Sequence, residues 1–152
     1  MSTNHLAEDV IELLMQLIEI PSFSGEESQT ADCIQNWLHS KGVETQRIQN
    51  NVFALNKHYD PSKPNLLLNS HHDTVLPNKA YTRDPHKAEI IDGKLFGLGS
   101  NDAGGALVSL LGLFVHFYVF ENLTYNLIIA ATAEEESSGP NGLNLSLIHI
   151  SE

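Results

Sequence analysis

Two histidines and an aspartate follow an apolar run within the segment Asn65–Val75. The run Leu66–Leu68 is typical of a buried strand, and polar side chains at the end of such a strand often carry out chemistry. His71 and Asp73 are two residues apart, so both project from the same face of an extended backbone. A carboxylate can hold an imidazole by one nitrogen and leave the other free for a metal ion. The alternative is a polar strand end with an aspartate turn, and this triplet alone does not decide between them.

Two further polar clusters are found downstream. Leu127–Ala133 predicts a second buried strand that ends in Glu134–Glu136, and Asp102 stands where the glycine loop Gly97–Gly105 opens a helix. If the sheet is largely parallel, the two strand ends lie at the same carboxyl edge. One histidine and three or four carboxylates then surround a common point, and such a group of anions requires cations. Mixed histidine and carboxylate ligands suit zinc or a similar divalent metal.

Each of these clusters also has a simpler interpretation. Gly97-Leu-Gly99 before a helix suggests phosphate binding, but Asp102 replaces the third glycine and would repel phosphate. No Lys-Ser/Thr pair follows, which excludes a P-loop. Asp102 alone could be a helix N-cap, and the glutamates a solvated strand end. The metal hypothesis is favoured because the three clusters occur together with suitable residue types.

The elements that must position these clusters alternate between helix and strand. Apolar spacing predicts a first helix that ends before Pro21 and a second from Ser24–Glu26 to Lys41-Gly42. Such an alternation indicates an α/β layered domain. Besides the two buried strands, the predicted strands are Val43–Ile48, Val52–Asn56, Ala88–Ile91 and Lys94–Phe96, the last two joined by the hairpin turn Asp92-Gly93.

The run Ala103–Phe120 contains no charged residue and could suggest a membrane span. It holds several glycines and His116, and it lacks basic flanks and an interfacial tryptophan. A helix buried on most sides of an α/β sandwich is the better interpretation, and no membrane partner is expected.

The composition is that of a soluble globular domain. The 152 residues are 41% hydrophobic and 18% charged, with a net charge of −11. No cluster of lysine and arginine is present, which argues against a nucleic-acid partner. The single cysteine, Cys33, fits a reducing compartment and is expected to be a small core residue. The N-terminus shows no signal peptide pattern, so a cytoplasmic location is expected.

The order of the three clusters resembles a known family. The segments Ser70–Val75, Gly97–Gly105 and Thr132–Glu136 are similar to motifs of the zinc-dependent exopeptidases and deacylases. That family includes acetylornithine deacetylase, succinyl-diaminopimelate desuccinylase, carboxypeptidase G and peptidase T. The likeness spans roughly residues 5–143, and its first and third motifs are most similar to acetylornithine deacetylase. It implies a zinc-exopeptidase-like three-layer α/β sandwich with a mixed central sheet.

The resemblance also implies a role for each matching residue. His71 would bind one of two zinc ions, Asp73 would orient its ring, and Asp102 would bridge both ions. Cobalt could replace zinc. His72 falls at the variable position of its motif and is not expected to be a ligand.

The glutamates complete the implied centre. Glu135 would be the general base and Glu136 a metal ligand. Relatives usually carry aspartate where Glu134 stands, so a shift by one residue would make Glu134 the base and Glu135 the ligand. The implied reaction is hydrolysis of the amide bond of an N-acyl amino acid, foremost N-acetylornithine in arginine biosynthesis. The alternatives are a succinyl-amino-acid desuccinylase, a metallo-exopeptidase that acts on short peptides, and a non-catalytic metal-binding module.

The sequence departs from the family at its C-terminal end. The family has a further carboxylate ligand, a last histidine ligand and an inserted dimerisation domain, none of which fits in Gly142–Glu152. Residues 1–144 are expected to be the N-terminal part of a truncated catalytic domain, and 145–152 a non-native or read-through tail. His149 is therefore not taken as the missing ligand. The full-length parent is expected to be a homodimer, while this chain alone is expected to bind zinc weakly and to be inactive.

Overall fold

The computed structural model of the chain describes residues 3–145. The predicted tail, 145–152, lies outside the described residues except for Leu145. The described part contains three α-helices and six β-strands, in an order close to the predicted one. The helices are α1 (Thr3–Glu19), α2 (Ser28–Ser40) and α3 (Gly105–Phe117), and the strands are β1 (Gln46–Ile48), β2 (Asn51–Leu55), β3 (Asn65–His71), β4 (Glu89–Ile91), β5 (Lys94–Phe96) and β6 (Asn126–Thr132).

The sheet that carries the polar clusters has four strands in the order β1-β2-β6-β3. β3 runs parallel to β6, whereas β2 runs antiparallel to both β1 and β6. The register pairs His71 with Thr132, so β3 and β6 end side by side at their carboxyl ends. The predicted mixed sheet is confirmed, and it brings the segments after His71 and after Thr132 to one edge.

One hydrophobic core joins the three helices to a single face of this sheet. Leu13 of α1, Ile34 of α2 and Phe114 of α3 are fully buried against alternate residues of the strands, among them Val52 and Ile129. The intervening residues point to the other face and are also buried: Phe53, Ile128 and Ala130. Both faces of the central strands are therefore buried, as in an α/β sandwich.

Strand β3 differs from the prediction of a buried strand. Its first residues are exposed, with Leu66 at 46%, and only Ser70 and His71 at its end are buried. The reason is its position, because β3 is the last strand in the order of the four-stranded sheet. The strand is therefore most buried at its carboxyl end, where His71 lies.

Helix α3 was expected to be buried on most sides, and its exposed residues are indeed confined to one stripe. Leu107, Leu111 and Phe114 face the core, but Leu113 on the outer face is 43% exposed. The helix is therefore buried or half-buried except along this outer stripe, which consists of Ala106, Ser109, Leu113 and His116. None of the helices in residues 3–145 is both long and apolar enough to span a membrane.

Helix α2 begins at Ser28, a few residues later than predicted. Two polar residues just before the helix form other contacts: Ser24 donates to Asp73, and the side chain of Glu27 accepts a hydrogen bond from the backbone of Gly25. Gly25 has φ +89°, a left-handed conformation that glycine adopts readily. Further along the helix, Cys33, which was expected in the core, is half-buried and packs against the edge of the core.

Candidate metal centre

His71 lies at the end of β3 with its two ring nitrogens in different surroundings. Nδ1 is 3.1 Å from the backbone oxygen and 3.3 Å from the carboxylate of Asp73. Nε2 faces two carboxylates, with Asp102 at 3.3 Å and Glu135 at 3.7 Å. The hydrogen bond to Asp73 raises the pKa of His71 to about 9, although burial of the ring opposes this. In the neutral ring, the proton therefore belongs on Nδ1, which leaves the Nε2 lone pair directed at the carboxylates.

Asp73 is buried and accepts hydrogen bonds from several directions. Its carboxylate oxygens accept from the hydroxyl of Ser24 at 2.7 Å and from the backbone N–H groups of Glu135 at 3.1 Å and Glu136 at 3.0 Å. Burial disfavours the charged carboxylate, but these bonds and the one from His71 outweigh it and lower the pKa of Asp73 to about 2. Asp73 thus links the end of β3 to the segment that follows β6.

Asp102 reaches the same point from the start of α3. It lies in the irregular helical turn Ser100–Gly104, and its side chain is 79% exposed. Two close approaches fix this turn. A Cβ on Gly104 would lie 2.6 Å from the backbone oxygen of Gly99, and a Cβ on Gly99 would lie 2.6 Å from Thr74. The glycines of the loop therefore allow tight packing of the backbone rather than the phosphate contact that their spacing might suggest.

The three glutamates after β6 point in different directions. Glu134 has φ +54°, and its carboxylate accepts hydrogen bonds from the backbone and side chain of Asn141. The carboxylate of Glu135 lies near His71, and its side chain is 60% exposed. Glu136 forms a three-residue group with His71 and Asp102, in which one potential ligand atom of each lies within 4.8 Å of the others. Glu134 is thus turned away from the group to which its two neighbours contribute.

The chemistry of this group fits a divalent cation. Burial raises the pKa of Glu136, and the charges of Asp102 and Glu135 add to the rise, while His71 opposes it. A bound cation would remove this repulsion, and one imidazole nitrogen with carboxylate oxygens is a ligand set found for zinc. His71, Asp102 and Glu136 could hold one ion, and Asp102 could reach a second from its exposed position.

His72, which was not expected to bind metal, is turned away from this group and into the protein. Its ring is buried between the Thr30 hydroxyl, 2.8 Å from Nδ1, and the backbone oxygen of Asn50, 2.9 Å from Nε2. Burial lowers the pKa of His72 to about 4, so the ring is neutral near pH 7. Because a carbonyl only accepts, the single proton lies on Nε2, and Nδ1 accepts from Thr30.

This buried neutral ring predicts a loss of stability in mild acid. Between pH 6.5 and about 4 the unfolded chain binds a proton at His72 that the folded chain excludes, so stability falls as the pH falls. From pH 7 to pH 5 we expect His72 to contribute a loss of about 2 kcal/mol in the free energy of unfolding. The measurement is urea denaturation of the wild type and His72→Gln, both with a chelator. Glutamine can donate to Asn50 but does not titrate, so an equal loss in both proteins would contradict the prediction.

Three residues near the centre were not singled out from the sequence. Ser24 donates to Asp73. The side chains of Glu27 and Asn50 bond to each other beside the residues Glu134–Glu136, which we call the glutamate segment. Polar residues in the loop before α2 could have drawn attention to Ser24 and Glu27. Their partners are far away in the chain, and sequence spacing carries no sign of those contacts.

An open groove lies against the centre. Its volume is about 290 Å³, which is the size of a site for a small molecule. Asp102 and Glu136 form part of its wall, so a ligand in the groove would lie beside the carboxylates. The rest of the wall comes from Thr74, Val75, Tyr81 and Gly97–Asn101.

Comparison with protein families matches residues 67–149, more than half of the chain, to peptidase family M20/M25/M40. The chain belongs to this family. Its match includes the segments that carry His71, Asp102 and the glutamates, and the predicted family membership is confirmed.

Curated relatives within the family carry two different activities in their names. The chain is 34% identical over 142 residues to succinyl-diaminopimelate desuccinylase of Corynebacterium glutamicum, covering 91% of this chain and 37% of the relative. It is 33% identical over 140 residues to acetylornithine deacetylase of Proteus mirabilis, covering 84% of this chain and 36% of the relative. The chain therefore spans little more than a third of the length of these relatives, and identity does not separate a succinyl from an acetyl substrate.

Solved structures show the same fold. A dipeptidase of Saccharomyces cerevisiae matches with a TM-score of 0.72 at 21% identity, over 99% of this chain and 36% of that one. A dinuclear metal-binding peptidase of the M20 family from Bacillus subtilis matches with a TM-score of 0.71 at 18% identity, over 99% and 41% of the two chains. The described part of the chain thus has the fold of the corresponding portion of an M20 peptidase.

Proposed function

We propose that the protein is a metal-dependent hydrolase that cleaves the amide bond of an N-acyl amino acid. The observation that carries this proposal is the group formed by His71, Asp102 and Glu136, whose potential ligand atoms lie within 4.8 Å of one another beside an open groove. Because the 152 residues span little more than a third of their relatives' length, the activity is proposed for a protein that contains the rest of that length as well.

His71, Asp102 and Glu136 are the proposed metal ligands of this chain. Asp73 accepts from Nδ1 of His71 and so keeps the Nε2 lone pair directed at the metal position. Asp102 is the proposed bridge between two ions, since its side chain is 79% exposed and so leaves room for a second ion beside it. We propose zinc, with cobalt as a substitute, and further ligands from sequence beyond these residues. A bound zinc ion supplies a Lewis acid that polarises a carbonyl and makes water acidic near neutral pH.

Glu135 is the proposed general base. Its carboxylate approaches Nε2 of His71 to 3.7 Å but remains largely exposed, so it faces the region where water and substrate would meet. There it would accept a proton from the attacking water and pass it to the leaving amine. Asp73 supports this role as well, because it holds the backbone N–H of Glu135.

N-acetylornithine is the first substrate to test, with arginine biosynthesis as the corresponding pathway. N-succinyl-diaminopimelate is the second, since a desuccinylase is as similar to the chain as a deacetylase is. A short peptide is the third, in view of the dipeptidase fold. We also propose that the full-length protein is a homodimer.

Metal binding is tested on the 152-residue chain itself. Titration with cobalt, followed by visible absorption and calorimetry, is expected to give a specific complex that His71→Ala abolishes. Asn126→Ala is a suitable control, because Asn126 is buried at the opposite end of β6. Equal cobalt binding by the wild type and His71→Ala would overturn the proposed centre.

Hydrolysis is tested in a chimera. Residues 5–143 of this chain replace the matching segment of the Proteus mirabilis acetylornithine deacetylase, and amine release is measured from the three substrates with zinc. The 152-residue chain alone is assayed in parallel, and we expect no turnover from it. A chimera that folds and binds zinc but hydrolyses none of the substrates would contradict the proposed activity and favour a non-catalytic metal-binding module.

A further inference from the structure

Glu27 is a fully buried carboxylate that the proposed chemistry does not use. Its exposed fraction is 0%, and it lies immediately before α2. One oxygen accepts from the backbone N–H of Gly25 at 2.8 Å and of Glu134 at 3.0 Å, and the other accepts from the side-chain amide of Asn50 at 2.9 Å. All three partners are neutral N–H donors. A buried carboxylate is costly unless it is well hydrogen-bonded, so these contacts hold the surrounding segments firmly.

Glu27 and Asp73 together accept hydrogen bonds from the backbone N–H groups of the glutamate segment. Glu27 accepts from the N–H of Glu134, while Asp73 accepts from the N–H of Glu135 and of Glu136. Three successive backbone donors are therefore held by two buried carboxylates. Asp73 belongs to the His71 side of the centre, whereas Glu27 approaches from the helix layer.

The hydrogen bond from Glu27 falls on the residue where the chain changes direction. Glu134 has φ +54°, which is unfavourable for a residue other than glycine and needs support from its surroundings. This conformation sends the Glu134 side chain toward Asn141 and directs the next two side chains to His71. Without the anchor at its N–H, Glu134 could relax to an extended backbone, and the two following side chains would rotate.

Asn50, the side-chain partner of Glu27, is itself held by a hydrogen bond. Asn50, which donates to Glu27, lies in the turn between β1 and β2, and its backbone oxygen accepts from the buried ring of His72. The Thr30 hydroxyl of α2 bonds to the same ring. Glu27 is therefore backed by a chain of satisfied polar groups that reaches the residue next to His71.

We infer that Glu27 is a positioning residue, whose carboxylate holds the backbone of Glu134 and thereby orients Glu135 and Glu136 toward His71. The consequence of this positioning for metal binding rests on the proposed function. Its effect on the backbone does not, because the hydrogen bonds described above involve no metal.

The test compares Glu27→Gln with the double variant Glu27→Gln/Asn50→Asp. Glutamine keeps the shape, but its single, uncharged oxygen cannot serve all three donors. Its amide nitrogen opposes either the Asn50 amide or the N–H groups of Gly25 and Glu134, and the bonds that remain lose the strength that the negative charge gave them. Aspartate at position 50 restores an acceptor for the glutamine and returns the lost negative charge. Asn126→Ala serves as the control for a buried polar change of similar severity far from the centre, since Asn126 bonds to Asp60 and Asn65.

The first measurement is hydrogen exchange of backbone amides in metal-free protein. In Glu27→Gln we expect the amides of Glu134, Glu135 and Glu136 to exchange about tenfold faster or more, with β6 unchanged. The double variant is expected to return them to the wild-type rates. Only Glu134 bonds to Glu27, so faster exchange at the other two would show that the segment moves as a unit. Unchanged exchange at Glu135 and Glu136, or a uniform increase throughout β6, would overturn the inference.

The second measurement is cobalt binding. Glu27→Gln is expected to weaken cobalt by about 10–100-fold and to alter the visible spectrum, as for other residues that orient ligands. The double variant should recover the wild-type affinity, and Asn126→Ala should retain it throughout. Wild-type affinity in Glu27→Gln would overturn the consequence for the metal. Absence of cobalt binding by the wild type would instead overturn the proposed function, while the exchange result would still decide the role of Glu27.

Discussion

Replacing Glu135 with glutamine in the chimera is expected to slow the hydrolysis of N-acetylornithine by about 10²–10⁴-fold. Glutamine has the size and polarity of glutamate but cannot accept a proton from water. Zinc affinity is expected to stay close to that of the unsubstituted chimera, because Glu135 lies outside the group formed by His71, Asp102 and Glu136. The measurement is the steady-state rate of amine release at saturating substrate, together with the zinc affinity of each protein.

Glu134→Gln is the matched control for this prediction. The Glu134 carboxylate is occupied by the backbone and side chain of Asn141, so its loss of charge should leave the rate nearly unchanged. If Glu134→Gln abolished turnover and Glu135→Gln instead lost zinc, the alternative register would be correct, with Glu134 as base and Glu135 as ligand.

Local signals in the sequence predicted much of the fold. The hairpin at Asp92-Gly93 forms as expected, and both residues have the positive φ that such a tight turn requires. Leu127–Ala133 was predicted as a buried strand, and every residue of β6 is buried. In these cases the pattern within a few residues is sufficient, because an Asp-Gly pair favours the positive φ of the turn and a continuous apolar run suits a strand that is buried on both faces.

Other features depend on contacts between distant residues, which the sequence does not display. Exposure of Leu66 follows from the place of β3 at the end of the strand order, and that order is a property of the whole sheet. The side chain of Glu27 bonds to a backbone group 107 residues away, and the residues around Glu27 in the sequence do not indicate that contact. The candidate site, too, could be predicted from the sequence only in part. The three motifs indicated which segments should meet, whereas the direction of each glutamate depends on hydrogen bonds to the backbone.

Replacing Asp73 with asparagine is expected to affect both stability and metal binding. The Asp73 carboxylate accepts from the hydroxyl of Ser24 and from the N–H groups of Glu135 and Glu136, and it also faces Nδ1 of His71. An asparagine amide would turn a donor toward some of these donors. Removal of one partner from a buried charged network typically costs about 3–5 kcal/mol, and we expect the lower end of that range here. Zinc affinity of the 152-residue chain should fall by about 10–100-fold, since the His71 ring loses the group that orients it.

The pH dependence of the lost unfolding free energy distinguishes the effect of the Asp73 charge from the effect of its shape. Its pKa is lowered from 3.8 to about 2 in the folded protein, so its charge stabilises the fold above about pH 4 by about 2 kcal/mol. That contribution is lost as the pH falls toward 2, because the carboxyl becomes protonated in the folded state too. The difference in unfolding free energy between wild type and Asp73→Asn, measured by urea denaturation without metal, should therefore narrow over this interval. Ser24→Ala, which removes a single donor, should cost only about 1 kcal/mol. A difference for Asp73→Asn that stayed constant from pH 7 to pH 2 would mean that the shape of the side chain, and not its charge, holds His71 and the glutamate segment together.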